Sequence, residues 1–426
     1  MKSTLALLGV VAFITACSGP LRPAPLPPAA ALVARTNLPN PLVMLSGAPV
    51  HNQKEWTEQR RPELIRLFQH YMYGEIPPPP KQFVGKVLGE YGDFLGGRAT
   101  LKVVRLECGA GESAPQIDLV LVLPKPAAGK VPVFLAMNFC GNHALTPDPR
   151  VPLARSWVYG NCTGSKGNRA TEECRGTQAA DWPLELILER GYGFAGFYSG
   201  DVDSDRGEVS DGIYAWLAEG DPARNNPTNR GSIAAWAWGF QRCVDYLLTE
   251  PAIDASRIAA VGHSRNGKTS LLAGALDPRI SLIIANQSGC GGAAPSRGKI
   301  GESVKAINDR FPHWFNAEFK AFNNAPEKLP FDQHCLIALC APRPVLIATA
   351  KEDTWSNPPG QFDMAVAADP VYRLYGVKGL DAREMPGVGQ LTGDRIAYHL
   401  RDGKHAMSTP DWRVFLEFAS RHWGQK

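Results

Sequence analysis

The sequence has no run of Lys or Arg dense enough to follow a phosphate backbone. Its formal charge of +4 is the balance of 45 basic and 41 acidic residues. Nucleic-acid binding is therefore not expected. The chain has no His-Glu-x-x-His motif and no Cys-x-x-Cys pair with a zinc-like His spacing, so we expect no metal and no other cofactor. It also has no internal repeat and no Gly/Ser linker in its middle, which favours one catalytic domain.

The overall composition is that of a globular enzyme. Hydrophobic residues make up 44% of the 426 residues and charged residues 20%, which excludes a disordered chain, a coiled coil or a collagen-like fibre. The 42 Gly and 36 Pro are many for a helical bundle and are typical of a loop-rich enzyme.

The N-terminus has the pattern of an export signal. A positive start is followed by the apolar segment Leu5–Ile14, which is too short to span a bilayer. Ile14-Thr15-Ala16-Cys17 resembles a bacterial lipobox. We therefore predict residues 1–16 to be a signal peptide and Cys17 to be lipidated; a plain signal peptide cut nearby is the alternative.

Residues 17–45 are rich in proline and are predicted to be an extended tether before a catalytic domain at 46–426. The expected protein is an exported monomer at the outer membrane, in the periplasm or at the cell surface. It would touch the membrane only through its N-terminal lipid. Export permits disulfides, and Cys162–Cys174 is the predicted local pair.

Apolar strands alternate with amphipathic helices from about residue 98. The predicted strands are Ala99–Leu106, Ile117–Leu123, Val131–Met137, Tyr192–Tyr198, Arg257–Val261, Ser281–Ala285 and Pro344–Ala348. The predicted helices are Trp56–Gly74, Trp182–Glu189, Ile233–Leu248, Lys268–Ala275, Gln361–Leu374 and Trp412–His422. This order predicts a three-layer α/β fold with a mostly parallel sheet.

Gly262-His263-Ser264-Arg265-Asn266-Gly267-Lys268 follows a buried strand and opens a helix of small residues. This is the context of a nucleophile elbow, a strained turn that exposes a serine at a helix N-terminus. Ser264 is therefore the predicted nucleophile, with Gly262 and Gly267 keeping neighbouring chain clear. The spacing Gly-x-Ser-x-x-Gly is one residue longer than usual, and a simple helix N-cap is the alternative interpretation.

A nucleophilic serine needs a base and an orienting acid, and in α/β-hydrolases both follow the serine in the chain. His405 lies in a loop just before the last helix and is the predicted base, although a lone loop histidine is often only a solvated surface group. His263 adjoins the serine and is expected to point elsewhere. Asp353 or Glu352, after a late strand, could orient the base; Asp353 is preferred, and helix capping is its alternative role.

Two groups are candidates to stabilise an oxyanion. The loop Asn138–His143 follows a strand and could offer a backbone N–H, as in α/β-hydrolases. Arg265, directly after the nucleophile, could offer its guanidinium. A salt bridge that fixes the elbow is an equally good interpretation of Arg265.

The sequence resembles the glucuronoyl esterases, carbohydrate esterase family 15, from about Trp56 to the C-terminus. The motifs that carry the resemblance are Gly262-His263-Ser264-Arg265-Asn266-Gly267-Lys268, Gln287-Ser288-Gly289-Cys290-Gly291-Gly292-Ala293, Arg310-Phe311-Pro312-His313-Trp314-Phe315 and Asp402-Gly403-Lys404-His405. The resemblance implies an α/β-hydrolase fold. It also implies cleavage of the ester between glucuronic acid on glucuronoxylan and a lignin alcohol.

The resemblance also implies substrate contacts. Lys268 and Glu302 would bond sugar hydroxyls, and Trp355 would line the uronate pocket. The alternative interpretations are that Lys268 is a solvated helix residue, that Glu302 is a first-turn helix charge and that Trp355 is a core residue. Gln287 departs from the family pattern, because many members carry a catalytic Glu at this position. Bacterial members also use an Asp after a later strand, where Asp353 stands in this sequence.

Two rival functions remain open at this point. A xylan acetyl esterase would use the same chemistry, although Lys268 argues mildly against it. A catalytically silent carbohydrate-binding lipoprotein would account for Gln287 and the ten Trp.

Overall fold

The computed structural model describes residues 25–127, 129–208, 210–298 and 300–424, so the predicted signal peptide and Cys17 lie outside the described residues. One ten-stranded sheet forms the centre. Its strands are β1 (Phe83–Phe94), β2 (Ala99–Cys108), β3 (Gln116–Pro124), β4 (Val131–Asn138), β5 (Gly193–Tyr198), β6 (Ile253–His263), β7 (Leu282–Asn286), β8 (Val345–Ala350), β9 (Leu391–Gly393) and β10 (Ile396–Arg401).

The strand order is β1-β2-β3-β5-β4-β6-β7-β8-β10-β9. The run from β5 through β4, β6, β7 and β8 to β10 is parallel. The pairs β1–β2, β2–β3, β3–β5 and β9–β10 are antiparallel. The carboxyl ends of the parallel strands therefore meet at one edge of the sheet, where ligands bind in such folds.

Helices cover both faces of the sheet. They are α1 (Gln53–Glu55), α2 (Arg61–Phe68), α3 (Leu184–Glu189), α4 (Gly212–Gly220), α5 (Ser232–Leu247), α6 (Arg265–Leu276), α7 (Val304–Arg310), α8 (Gln333–Ala338), α9 (Pro358–Leu374) and α10 (Thr409–Trp423). Leu135 of β4 belongs to the core formed with α5, α6, α8 and α9. Its neighbour Phe134 belongs to the core formed with α3 and α10. The alternation of strand side chains thus builds the predicted three layers.

All seven predicted strands are present within a few residues. The sequence did not predict β1, β9, β10, α4, α7 or α8. Strand β1 lies at the edge of the sheet and is mostly exposed, so it lacks the apolar pattern of a buried strand. The helix predicted at Trp56–Gly74 consists of α2 between the π-helical turns Trp56–Arg60 and Gln69–Tyr73, and α1 directly precedes it.

The prediction of an extended tether is wrong for residues 25–45, which pack against the domain. Leu32 is 9% exposed and belongs to the main core. Tyr71 Oη donates to the carbonyl of Pro27 at 2.5 Å, and the carbonyl of Pro39 accepts from His334 Nε2 at 2.7 Å. Prolines here hold an extended path along the surface of the domain, so a proline-rich composition did not distinguish a docked segment from a free one.

No helix in the described part of the chain is both long and apolar enough to cross a membrane.

Replacing Leu32 with Ala should lower the free energy of unfolding by about 2 kcal/mol, because the change leaves a cavity where the N-terminal segment meets the core. Val33 is 73% exposed, so Val33→Ala is the matched control and should change stability little. Urea unfolding followed by tryptophan fluorescence measures both variants. Equal stability of Leu32→Ala and the parent would contradict the docking of this segment.

Candidate active site

Ser264 occupies a strained turn between β6 and α6. Its backbone has φ +58° and ψ −124°, a conformation that residues with a side chain rarely adopt. A Cβ on Gly262 would lie 1.9 Å from the carbonyl oxygen of Asn266, and one on Gly267 would lie 2.9 Å from that of Asn286. Both glycines are therefore required by the turn, as the motif predicted.

The side chains of His405 and Asp353 meet beside this turn. His405 Nδ1 lies 2.7 Å from Asp353 Oδ2. The side chain of Glu352 is exposed, and its backbone N–H donates to the carbonyl of Gly403. The structure therefore places Asp353, the preferred candidate, against the histidine.

Asp353 is 5% exposed. Burial by itself raises the pKa of its carboxyl, but hydrogen bonds from His405 and Ser356 outweigh burial and hold the pKa below its ordinary value. Asp353 also caps the short 3-10 turn Thr354–Ser356, whereas Asn357 caps α9. The carboxylate therefore stays ionised where it faces the imidazole.

His263 does not point away from the site, contrary to expectation. Its ring lies 4.5 Å, centroid to centroid, from that of His405. Burial, and then the nearby charge of His405, hold the pKa of His263 well below its ordinary value. A neutral His263 ring can pack against His405 without repelling the positive charge that His405 carries when it is protonated.

Gln287 holds the loop that carries His405. Its Nε2 donates to the carbonyl of Ala406 at 2.8 Å, and its Oε1 accepts from the Ala406 N–H at 3.0 Å. Arg401 Nη2 also donates to the carbonyl of Ala406, at 2.7 Å, and Arg401 Nε bonds the buried Asp411 at 2.8 Å. An ionised carboxylate at position 287 could accept but not donate, so the neutral amide suits this contact.

The guanidinium of Arg265 is held by one carboxylate and four aromatic rings. Asp205 forms an ion pair with Arg265 Nη1. Asp205 Oδ1 accepts from His313 Nε2 at 2.8 Å and from Trp314 Nε1 at 2.7 Å. The rings, within 5.0–5.7 Å of the guanidinium carbon, belong to Phe139, Tyr159, Phe311 and Trp314.

Asp205 is the functional residue that sequence reasoning missed. It lies in a loop without periodicity, 60 residues from its partner, and nothing local marks it. Burial raises the pKa of Asp205, but the bond from His313 and the charge of Arg265 hold that pKa below its ordinary value. The salt bridge considered for Arg265 therefore exists.

The predicted disulfide Cys162–Cys174 is wrong. Cys162 is bonded to Cys140, with 5.7 Å between their Cα atoms. Cys174 is a buried free thiol whose Sγ accepts from the Thr171 N–H at the start of a 3-10 turn. The bond joins the loop after β4, which carries Phe139, to the segment that carries Tyr159, and so fixes two of the rings around Arg265.

A cleft of about 270 Å³ opens over the turn. Ser264, Arg265 and His405 line it together with Phe139, Tyr159, Asn161 and Gln178. The nucleophile candidate, the base candidate and the arginine thus face one space. The rings of Phe139 and Tyr159 form part of its wall.

The three predicted substrate-contacting residues are not among the residues that line this cleft, although Lys268 Nζ lies 5.8 Å from the ring centroid of Trp314, which also packs on Arg265. Lys268 is buried, and its Nζ donates to the carbonyl of Ser288 at 2.6 Å. Burial lowers the pKa of Lys268, and the charge of Glu302 opposes that shift. The Glu302 N–H donates to the carbonyl of Trp355 at 2.9 Å, and Trp355 is 51% exposed. Lys268 is therefore not a solvated helix residue, and Trp355 is not a core residue.

Within residues 25–127, 129–208, 210–298 and 300–424, no three His, Cys, Asp or Glu side chains are grouped so that they could hold a metal ion.

Comparisons with known proteins identify similar esterases. A family model described as glucuronyl esterase, fungi, matches residues 224–376. The carbohydrate esterase MZ0003 of an unknown prokaryotic organism is 46% identical over 394 residues, covering 92% of this chain and 91% of its own. The 4-O-methyl-glucuronoyl methylesterase of Schizophyllum commune is 27% identical over 389 residues, covering 88% and 83% of the two chains.

Two solved structures are similar over nearly the whole chain. A promiscuous CE15 esterase from a marine bacterial metagenome is 45% identical with a TM-score of 0.85, covering 92% of this chain and 98% of its own. The glucuronoyl esterase from Solibacter usitatus is 40% identical with a TM-score of 0.86, covering 93% and 100%. Sequence, fold and cleft agree, and this α/β-hydrolase chain belongs to carbohydrate esterase family 15, the glucuronoyl esterases.

Proposed function

We propose that this protein is a serine esterase that hydrolyses the ester between glucuronic acid of glucuronoxylan and lignin alcohols through an acyl-enzyme. The observation that carries the proposal is the strained Ser264 turn facing the same cleft as His405, whose imidazole is bonded to a buried, ionised Asp353. This arrangement supplies a nucleophile, a base and an orienting acid. Membership of the family supports the uronate ester as substrate.

In the proposed first step, His405 accepts the proton of the Ser264 hydroxyl as its oxygen attacks the ester carbonyl. Asp353 holds Nδ1–H, so that Nε2 is the basic nitrogen, and stabilises the imidazolium that forms. His405 then returns the proton to the departing alcohol, which leaves an acyl-enzyme. Water repeats the sequence, releasing the uronic acid and restoring Ser264.

We propose that Arg265 and the first N–H groups of α6 stabilise the negative oxygen of the tetrahedral intermediate. Arg265 Nη1 is engaged by Asp205, while Nε is buried and has no partner among the described residues. The guanidinium therefore keeps hydrogen-bonding capacity that its protein neighbours do not use. Because four rings and Asp205 hold the guanidinium before substrate arrives, little reorganisation is needed when charge develops.

The sugar ring is proposed to bind toward Lys268, Glu302 and Trp355. A buried ammonium and a carboxylate give strong bonds to hydroxyl groups, and an exposed indole offers an apolar face to a pyranose. The backbone bond between Glu302 and Trp355 keeps these two contacts in register with each other.

The function is tested with methyl and benzyl esters of 4-O-methyl-glucuronic acid, measured by release of the alcohol. The parent enzyme should hydrolyse both, and Ser264→Ala should reduce the rate to background. Acetylated xylan is the comparison substrate. Faster release of acetate than of alcohol would replace the proposal by an acetyl esterase, and no release from any substrate would indicate a carbohydrate-binding protein.

Replacing Asp353 with Asn should lower kcat at least about a hundredfold, equivalent to about 2.7 kcal/mol of transition-state stabilisation. The change keeps the shape but removes the charge that stabilises the imidazolium. Glu352→Gln, one residue away and exposed, is the matched control and should retain near-parental activity. A near-parental kcat for Asp353→Asn would show that another group orients His405.

We also propose that the protein is exported as a lipoprotein through Cys17 and acts as a monomer at the outer membrane or cell surface. The lipobox-like sequence supports the anchor. Cells that express the full chain should incorporate labelled palmitate into it, and Cys17→Ser should abolish the label. Light scattering on the unlipidated chain should give the mass of one chain. Absence of label in the parent protein would indicate a plain signal peptide instead of a lipoprotein signal. A mass of two chains would show a dimer.

A further inference from the structure

A second cleft, of about 660 Å³, lies on the same edge of the sheet as the catalytic cleft. It is lined by Gly200 and Asp201, which follow β5, and by Arg155, Trp157 and Arg169 among others. Ser264 follows β6, and only β4 separates β5 from β6. Two strand spacings correspond to roughly 10 Å, so the two clefts are neighbours on one surface.

An aromatic pair forms the wall between the clefts. The rings of Trp157 and Tyr159 are in edge contact, 5.5 Å between centroids. Trp157 lines the second cleft, and Tyr159 lines the catalytic one. A ligand chain that leaves the catalytic cleft over Tyr159 therefore reaches Trp157 next.

Two arginines on the lining of this cleft have no carboxylate within close hydrogen-bonding distance among the described residues. Arg169 is exposed and donates to the carbonyl of Arg155, but no carboxylate pairs with it among the described residues. Arg155 lies 3.9 Å from Asp118. Asp118 already accepts two bonds from Arg105, at 2.8 and 3.0 Å.

Two of the three acidic groups of the cleft are bonded to other residues of its lining. Asp211 pairs with Arg206 at 2.7 Å. Asp201 accepts from Ser156 Oγ at 2.7 Å, and burial, then the charge of Asp118, raise its pKa to about 7. Asp201 thus carries less than a full negative charge at neutral pH. Glu112 lies exposed on the lining, so that Arg155, Arg169 and Arg206 face three carboxylates, of which Asp211 is paired and Asp201 is hydrogen-bonded.

We propose that this second cleft binds an unesterified uronate carried by the same saccharide chain as the ester under attack. The inference rests on the proposed function and names a further part of its substrate. Planar guanidinium groups bind carboxylates through paired hydrogen bonds, and Arg155 and Arg169 provide two such groups on one lining. Gln116 and Asn168 line the same cleft. Gln116 Oε1 already accepts from Arg155 Nη1 at 3.0 Å, and Asn168 Nδ2 donates to the carbonyl of Val158 at 3.0 Å. Their remaining amide atoms suit sugar hydroxyls.

The test compares kcat/KM for three benzyl esters. The first is benzyl glucuronate, the second is the same ester on a xylooligosaccharide, and the third adds a free glucuronate to that oligosaccharide. The parent enzyme should prefer the third ester to the second. In the double variant Arg155→Gln/Arg169→Gln, this preference should fall about tenfold, because charge-assisted bonds to the free carboxylate are lost.

Arg413→Gln, an exposed arginine on α10, is the matched control and should keep the preference. Added salt should weaken the preference in the parent enzyme but not in the double variant. Equal kcat/KM for the second and third esters would overturn the proposed uronate site while leaving the esterase function intact. Hydrolysis of none of the three would instead overturn the esterase function.

Binding gives an independent readout. Ser264→Ala should bind the non-esterified oligosaccharide that carries a free glucuronate more tightly than its neutral counterpart in calorimetry. The triple variant with Arg155→Gln and Arg169→Gln should bind the two equally. Loss of this difference only in the triple variant would assign it to the two arginines, and its persistence there would overturn the proposal.

Discussion

The site depends on the close approach of backbone at the Ser264 turn. The chain leaves β6, reverses and enters α6 within a few residues, and the carbonyl oxygen of Asn266 comes so near Gly262 that a Cβ would lie 1.9 Å from it. The parallel strands on either side fix where this turn sits. His405, Asp353 and Arg265 are useful because they are arranged around a serine whose position the backbone has already set.

Position 287 illustrates how one site divides two tasks between different residues. A charge is supplied by Asp353 at the end of β8, directly on the imidazole. Gln287 positions the loop that carries His405, because its side chain bonds both the N–H and the carbonyl of Ala406. Because an amide both donates and accepts, the exchange of acid for amide is compatible with a well-positioned base.

The positive charge of Arg265 is balanced by one carboxylate and by aromatic rings rather than by solvent. Asp205 pairs with the guanidinium and is itself bonded by His313 and Trp314. The Cys140–Cys162 bond ties together the loops that carry Phe139 and Tyr159. Loops that are far apart in the sequence therefore hold Arg265 together. The Trp157–Tyr159 pair in one of these loops separates the site from the second cleft.

The sequence by itself determined the buried central strands, several helices and the residues whose roles are local. Apolar runs identified seven strands because strands buried on both faces carry a continuous signal. The glycines around Ser264, the chain order to His405 and the acid after β8 followed from short-range rules. Only the tertiary structure decided contacts between loops distant in the chain, because no periodicity or spacing encodes them. These are the pairing of Arg265 with Asp205, the partner of Cys162, the packing of His263 on His405 and the docking of residues 25–45.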